Sequence, residues 1–117
     1  MQLVHRPESS DSSQVLASDI ETADSFLQQA RGLMFRRSLA DDAALVFQFD
    51  DTAKRDVHML FVPFGIDAIW LVDNEVQATK RLKPWLGLGR ESADTLIEVP
   101  AGAADGVDVG DTVEIVG

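Results

Sequence analysis

Apolar and polar residues alternate along much of this chain, and a period of two is typical of β-strands with one buried face. The clearest case is residues 43–49, where Ala43, Leu45, Phe47 and Phe49 occupy every second position. Alternation or a short apolar run predicts strands at residues 2–5, 14–22, 43–49, 57–62, 67–72, 75–82, 95–99 and 111–116.

Turns and loops separate these predicted strands. The strands at 67–72 and 75–82 are joined by two residues of turn-forming type, so we predict a hairpin there. Residues 7–13 are polar and rich in Ser, residues 50–56 are charged, and residues 87–94 contain two glycines. Each of these three segments is therefore predicted as a loop.

Helix is predicted only in short pieces. The spacing of Ser18 and Glu21 matches a helix-capping box, whereas the alternation across residues 14–22 favours a strand. We predict a strand there, followed by a short helix at residues 24–31. Gly32 can then adopt the left-handed conformation that ends many helices.

These elements predict a mainly β fold of the α+β class. We expect a compact, antiparallel, β-barrel-like domain of seven or eight short strands with one or two short helices. The second helical piece is a single turn within residues 101–107. Helices do not alternate with the strands, so a parallel sheet is not expected. The 117 residues suit one domain, residues 1–117.

Composition and charge exclude several classes of function. The chain has no Cys, which excludes disulfides, thiol catalysis and thiolate metal sites. It has 20 acidic and 10 basic residues, and its net charge of −10 predicts neither nucleic-acid nor membrane partners. Asp is abundant and Lys is scarce, a balance that indicates a halophilic protein, since molar salt screens carboxylate repulsion. No apolar window suits a signal peptide or a membrane span, so we expect a cytoplasmic location.

Three segments of the chain resemble one family. They are Ala30-Arg31-Gly32-Leu33-Met34-Phe35-Arg36, then Val57-His58-Met59 with Asp67-Ala68-Ile69-Trp70-Leu71, and finally Ile97-Glu98-Val99-Pro100-Ala101-Gly102. Their order and spacing resemble the family of domains of unknown function numbered 192 over residues 15–117. The Leu82-Lys83-Pro84-Trp85 stretch resembles its archaeal members in particular. The resemblance implies a compact, mainly β fold and assigns no catalytic residue.

This chain also departs from the commoner pattern of that family. Where many members carry Trp-Met-Lys-Asn-Thr, it reads His58-Met59-Leu60-Phe61-Val62, and a Pro of many members is replaced by Gly65. The polar Lys-Asn-Thr cluster is therefore absent, and we expect no activity that depends on it.

Asp67 is the most informative polar residue, since it shares a predicted strand face with Ile69 and Leu71. A buried carboxylate must be paired or hydrogen-bonded. Asp67 could act as a general base or a ligand anchor. We favour a structural role, in which it accepts backbone N–H groups or pairs with Arg31 or Arg36.

The guanidinium groups of Arg31 and Arg36 suit carboxylates, which they bind through two parallel hydrogen bonds. We expect them to pair internally with Asp67 or Glu98 rather than to bind an anionic ligand, because the chain is rich in carboxylates. Structural roles are assigned to Gly32, Met34, Asp67, Glu98 and Gly102.

His58 shares its predicted strand face with Leu60 and Val62, which is more typical of a core residue than of a ligand. The only other histidine is His5, so a zinc site built on histidines is excluded. Paired aspartates such as Asp50-Asp51 lack the spacing of a calcium loop. We expect no metal and no cofactor.

The favoured functional prediction is a monomeric binding or interaction module without proven catalysis, for an unidentified protein or small molecule. Its expected binding residues are Arg31, Arg36, His58, Lys83 and Trp85. The alternative is a small hydrolase-like enzyme in which Asp67 and His58 form an acid/base pair. The enzyme requires these two side chains within hydrogen-bonding reach, whereas a binding module requires a concave apolar patch.

Overall fold

A computed structural model describes residues 1–23 and 36–117, and eight β-strands of these residues form one sheet. The strands are β1 (Gln2–Arg6), β2 (Gln14–Ala17), β3 (Asp19–Ala23), β4 (Ala43–His58), β5 (Ile66–Val72), β6 (Glu75–Leu82), β7 (Leu88–Pro100) and β8 (Thr112–Val116). Their order across the sheet is β2-β1-β8-β6-β5-β7-β4-β3. The prediction of a mainly β fold is confirmed.

The sheet is not closed into a barrel, so that part of the prediction is wrong. Its two edge strands, β2 and β3, are consecutive in the chain and are separated only by Ser18. The backbone N–H groups of Ser18 and Asp19 both donate to the carbonyl of Asp42, at 2.9 and 3.0 Å. The chain therefore passes from one edge of the sheet to the other, but no ladder of hydrogen bonds joins the two edges.

One strand pair also differs from the antiparallel prediction. β3 and β4 run parallel, with Asp19 opposite Ala43 and Ala23 opposite Phe47. A parallel pair needs a connection long enough to return the chain to the same end of the sheet. Residues 24–42 provide that length.

Two segments that we predicted as loops are strand. Residues 53–58 of β4 pair with residues 88–93 of β7 in an antiparallel arm, although both carry many charges. The register places Arg55 opposite Glu91 and Asp56 opposite Arg90, and opposite charges on facing positions stabilise a strand pair. The arm was missed because its charged residues obscure the period of two.

The predicted strand at 57–62 is shorter than expected. β4 ends at His58, and the next residues turn, with the N–H of Val62 donating to the carbonyl of Met59 at 2.9 Å. Phe61 has a φ of 61°, which is incompatible with a strand.

The helical turn predicted within residues 101–107 is not a helix. The helix at 24–31 lies outside the described residues. The segment at 101–107 forms consecutive turns, in which Ala103, Asp105 and Val107 donate to the carbonyls three positions before them. Gly102 interrupts any helix there with a φ of +98°. Where the structure describes the chain, no helix is long and apolar enough to cross a membrane.

Hydrophobic clusters cover both faces of the sheet. The first, here called the Trp70 face, contains Leu45, Phe47, Val57, Met59, Val62, Ile66, Ala68, Trp70, Leu82, Ala93 and Leu96. The second, the Ile69 face, contains Leu3, Ala17, Ala44, Val46, Ile69, Leu71, Val76, Ile97, Val99, Ala104, Val107 and Val113. Successive residues of β5 alternate between the two clusters, as the pleat of a strand requires.

Candidate functional site

An exposed apolar surface lies where β4 and β6 end and β7 begins. Five of the eight exposed large apolar side chains of the described residues meet there, and we call this surface the apolar rim. Its members are Leu60 (52 % exposed), Phe61 (39 %), Trp85 (51 %), Leu86 (80 %) and Leu88 (66 %). None of the five belongs to either hydrophobic cluster of the sheet.

Two tight turns position the apolar rim and bond to each other. The N–H of Met59 donates to the carbonyl of Gly87, and the N–H of Trp85 donates to that of Val62, each at 3.0 Å. Phe61 and Trp85 both have positive φ, 61° and 64°, a conformation that is rare for bulky residues and costs about 1–3 kcal/mol each. Their rings meet edge to face with centroids 5.8 Å apart. The two turns therefore hold two aromatic side chains in a fixed, strained arrangement.

A cleft of about 570 Å³ adjoins the apolar rim. It is lined by Asp56, Val57, His58, Trp70, Ala78, Thr79, Lys80, Leu88, Gly89, Arg90 and Glu91. Leu88 belongs to both surfaces and joins them. The indole of Trp70 lies directly beneath Gly89, where a β-carbon would come within 2.6 Å of the ring. Glycine at position 89 thus lets a large aromatic ring pack below the cleft.

The charges around the cleft differ from those of the chain as a whole. The cleft lining has two basic residues, Lys80 and Arg90, and two acidic ones, Asp56 and Glu91, and Lys83 follows β6 at this end of a molecule whose net charge is −10. The ammonium group of Lys80 donates to the carbonyl of Leu88 at 2.6 Å, which fixes it at the cleft wall. Arg90 pairs with Asp56 at 3.2 Å, but both side chains are about two-thirds exposed, so water screens this pair strongly.

Asp67 is buried and its carboxylate is fully engaged. One oxygen accepts from Nε of Arg81 at 2.8 Å, and the other accepts from the N–H groups of Gly102 and Ala104 at 3.0 and 3.1 Å. Burial and backbone donors were expected, but the arginine is Arg81 and not Arg36. The hydrogen bonds that Arg81 donates to Asp67 and then to Asp105 raise the pKa of Arg81 above its usual range. The cluster ties β5 and β6 to the turns that follow β7.

The acid/base pair of the hydrolase alternative is not assembled. His58 is exposed and lines the cleft, whereas Asp67 is absent from the cleft lining and bonds to Arg81, Gly102 and Ala104. No hydrogen bond joins His58 to Asp67. The expectation that His58 is a core residue is also wrong, because β4 ends at this residue and its side chain faces the cleft.

A second buried polar pair was not predicted. His5 is 1 % exposed, and its Nε2 lies 2.7 Å from a carboxylate oxygen of Asp111. Its Nδ1 lies 3.0 Å from the side-chain amide of Gln14. Burial raises the pKa of Asp111, but the N–H groups of Glu8 and Asp108, with the His5 ring, hold it below its ordinary value. Both ring nitrogens are occupied, so the pair is suited to a structural role.

Glu98 is the least satisfied polar group of the described residues. It is 6 % exposed, and its Oε1 has no hydrogen-bond partner. Its cross-strand neighbours are Leu45 and Ala68, which offer no side-chain donor. Burial raises the pKa of Glu98 to about 7, and the charge of Arg36 acts in the opposite direction.

Arg36 binds Glu21 rather than Asp67 or Glu98. Its two terminal nitrogens donate to the two carboxylate oxygens of Glu21 at 2.8 and 2.9 Å. These hydrogen bonds lower the pKa of Glu21. Internal pairing of Arg36 was expected, but with a different carboxylate. Among residues 1–23 and 36–117, no three acidic or histidine side chains are placed to hold a metal ion.

Comparison with known proteins identifies the family. The model of the family DUF192, described as an uncharacterized ACR, matches residues 8–115. The chain belongs to the DUF192 family. The match begins before residue 15, where the sequence resemblance was expected to start.

Similar curated proteins of archaea carry the name UPF0127. The protein of Thermococcus kodakarensis is 33 % identical over 85 residues, which cover 71 % of this DUF192 chain and 54 % of the relative. The protein of Thermococcus gammatolerans is 32 % identical over 92 residues, covering 77 % and 60 %. That of Pyrococcus horikoshii is 31 % identical over 102 residues, covering 82 % and 86 %. The DUF192 chain thus spans little more than half the length of the two Thermococcus relatives.

Two solved structures share the fold of this DUF192 chain. A protein of Sinorhizobium meliloti, named as a candidate transcription regulator, has a TM-score of 0.82 at 23 % identity, covering 97 % of this chain and 92 % of its own. A protein of unknown function from Novosphingobium aromaticivorans has a TM-score of 0.81 at 23 % identity, covering 98 % and 84 %. At this identity the likeness shows the fold alone.

The residues expected to bind in this DUF192 chain are only partly brought together. His58 lies in the cleft, Trp85 lies on the apolar rim, and Lys83 stands between β6 and Trp85. Arg36 is engaged with Glu21 near the other edge of the sheet. Arg31, Gly32 and Met34 lie outside the described residues.

Proposed function

We propose that this DUF192 protein is an interaction module whose apolar rim and cleft dock an acidic protein segment with large apolar side chains. The observation that carries the proposal is the concentration of exposed apolar side chains at one end of a sheet whose two cores are already complete. Contiguous exposed apolar surface is uncommon on monomeric proteins and is typical of sites that contact a partner.

The apolar rim suits a partner because its side chains are large and held in place. Full burial of a side chain such as Leu or Phe contributes roughly 1.5–3 kcal/mol. Trp is among the residues most enriched at the energetic centre of interfaces. The hydrogen bonds between the two turns fix Phe61 and Trp85 beforehand, which reduces the entropy lost on binding.

Charge favours an acidic partner segment. Three basic side chains, Lys80, Lys83 and Arg90, lie beside the apolar surface against two acidic ones, Asp56 and Glu91, whereas the molecule as a whole has an excess of ten negative charges. An acidic segment is repelled by most of the surface and least repelled at this end, so charge would orient the encounter. The same net charge argues against direct contact with nucleic acid, and a regulator of this fold would then act through a protein.

Selection of peptides from a random library displayed on phage would test the proposal. We expect selected peptides to combine Asp or Glu with large apolar residues and to lose affinity for the Trp85→Ala and Lys83→Glu variants. Val109→Ser is the matched control, because Val109 is 65 % exposed but lies in the turn before β8, at the opposite end of β6.

Three results would overturn the proposal. The first is the absence of acidic, apolar peptides among those selected. The second is equal binding by the rim variants and the wild-type protein. The third is a dimer in light scattering that becomes monomeric in Trp85→Ala, since the occupant of the rim would then be a second copy of the chain.

A further inference from the structure

The carboxyl of Glu98, whose Oε1 has no hydrogen-bond partner, belongs to a row of residues that crosses the sheet. Glu21 of β3 is opposite Leu45 of β4, which is opposite Glu98 of β7, which is opposite Ala68 of β5. Directly opposed residues point to the same face of a sheet. Glu21 and Glu98 therefore lie on the Trp70 face, about 10 Å apart, with Leu45 between them.

Among the described residues, Arg36 is a cation that acts on both of these carboxylates. Its guanidinium group donates two hydrogen bonds to Glu21, and its charge also acts on Glu98. A guanidinium group has five N–H donors, so the pair with Glu21 leaves donors unused. Arg36 thus binds one carboxylate of the row and lies within electrostatic range of the other.

We propose that Arg36 is the moving part of a pH-sensitive switch: it binds Glu21 while Glu98 is protonated and turns to Glu98 when Glu98 ionises. The switch is separate from the proposed binding surface and does not depend on it. An ionised carboxylate in an apolar site is unstable without a partner.

The exchange is favourable because the two carboxylates differ in exposure. The side chain of Glu21 is 57 % exposed, so water can replace Arg36 around it. Glu98 is 6 % exposed and has no such substitute. When Arg36 moves from Glu21 to Glu98, it therefore leaves a carboxylate that water can solvate and pairs with one that water cannot solvate.

Few other charges of the described residues face Glu98. β4 and β5 present Leu45 and Ala68 to it, and β3 contributes Glu21. Lys80 of β6 follows Ala68 in the same row, but its ammonium group is bonded to the carbonyl of Leu88 at 2.6 Å. Burial sets the pKa of Glu98 to about 7, so the exchange would take place near neutral pH.

Carbon-13 NMR titration of the side-chain carboxyl groups in the 117-residue chain tests this proposal. Glu98→Gln identifies the Glu98 signal by its disappearance. In the wild-type protein, we expect the Nε signal of Arg36 to shift with the same midpoint as the carboxyl of Glu98. In Glu21→Gln, where Arg36 loses its competing partner, the midpoint of Glu98 should fall by at least about half a pH unit.

Glu75→Gln is the matched control, because Glu75 is an exposed glutamate at the other end of β6 and should leave both midpoints unchanged. The proposal is overturned if Arg36 shows no transition at the midpoint of Glu98. It is also overturned if Glu21→Gln leaves that midpoint where it was, or if Glu98 of the wild-type protein titrates in the ordinary range of an exposed glutamate.

Discussion

Replacing Glu98 by Gln should stabilise the protein at neutral and higher pH. The raised pKa means that the folded state holds the Glu98 proton more tightly than the unfolded state, whose pKa is near the ordinary value of 4.5. Between pH 4.5 and 7 the folded protein therefore binds more protons, and its stability must fall as the pH rises. Gln cannot ionise, so the variant escapes this loss.

The size of the effect follows from the same two pKa values. A shift from 4.5 to about 7 corresponds to roughly 3 kcal/mol of unfolding free energy, at about 1.36 kcal/mol per unit. The free energy of unfolding of Glu98→Gln should thus nearly equal that of the wild-type protein below pH 4.5. Above pH 7 it should be larger by at most about 3 kcal/mol.

Urea unfolding at a series of pH values measures this difference directly. We expect Glu98→Gln to unfold at a higher urea concentration than the wild-type protein, by a difference that grows as the pH rises. The slope of the free energy of unfolding against urea should not change. Glu75→Gln, on the exposed surface, should follow the wild-type curve. A difference between Glu98→Gln and wild type that stays constant across the pH series would refute the reasoning.

Three further predictions concern stability. Asp67→Ala should lower the free energy of unfolding in urea by about 2–5 kcal/mol, because the N–H groups of Gly102 and Ala104 lose their acceptor. A decrease below about 1 kcal/mol would contradict this prediction. Gly89→Ala should lower the free energy of unfolding by about 1–3 kcal/mol, because the added β-carbon meets the indole of Trp70. The same contact should alter the near-UV circular dichroism of Trp70, and an unchanged spectrum and melting temperature would exclude it. The melting temperature should rise from low to molar KCl as salt screens the net charge of −10, and a flat profile would refute the halophilic interpretation.

The sequence predicted the strands that carry buried apolar residues and missed the exposed, charged arm. The hairpin of β5 and β6 was evident because an apolar run and an alternating segment flank a two-residue turn. The arm formed by residues 53–58 and 88–93 is exposed on much of its surface, so it lacks apolar alternation. Its stability comes from pairing between strands that are distant in sequence, which no local pattern reveals.

The candidate site was partly predictable for the same reason. The burial of Asp67 followed from its strand face, but its arginine partner depended on register. An irregularity between Trp70 and Leu71 shifts the β5–β6 pairing so that Arg81 stands opposite Asp67. The pair of His5 and Asp111 joins residues at the two ends of the chain, and only the pairing of β1 with β8 brings them together.

The apolar rim shows a third reason why prediction from the sequence was incomplete. Trp85 and Lys83 were predicted to bind, and they lie at the exposed end of the sheet. Leu60 and Phe61 were assigned to a strand, because four apolar residues in succession resemble one. The positive φ of Phe61 turns the chain there and leaves both side chains on the surface, a conformation that sequence patterns do not indicate for Phe.

The most direct test of the proposed binding surface is to map, by NMR, where an acidic, apolar peptide from the phage selection contacts the isotope-labelled protein. We expect amide shifts concentrated at residues 58–62 and 83–90, with no change around Val109, and a loss of affinity of at least about tenfold in Trp85→Ala. Shifts centred elsewhere on the sheet, or equal affinity of Trp85→Ala and the wild-type protein, would contradict the assignment of the apolar rim as the docking surface.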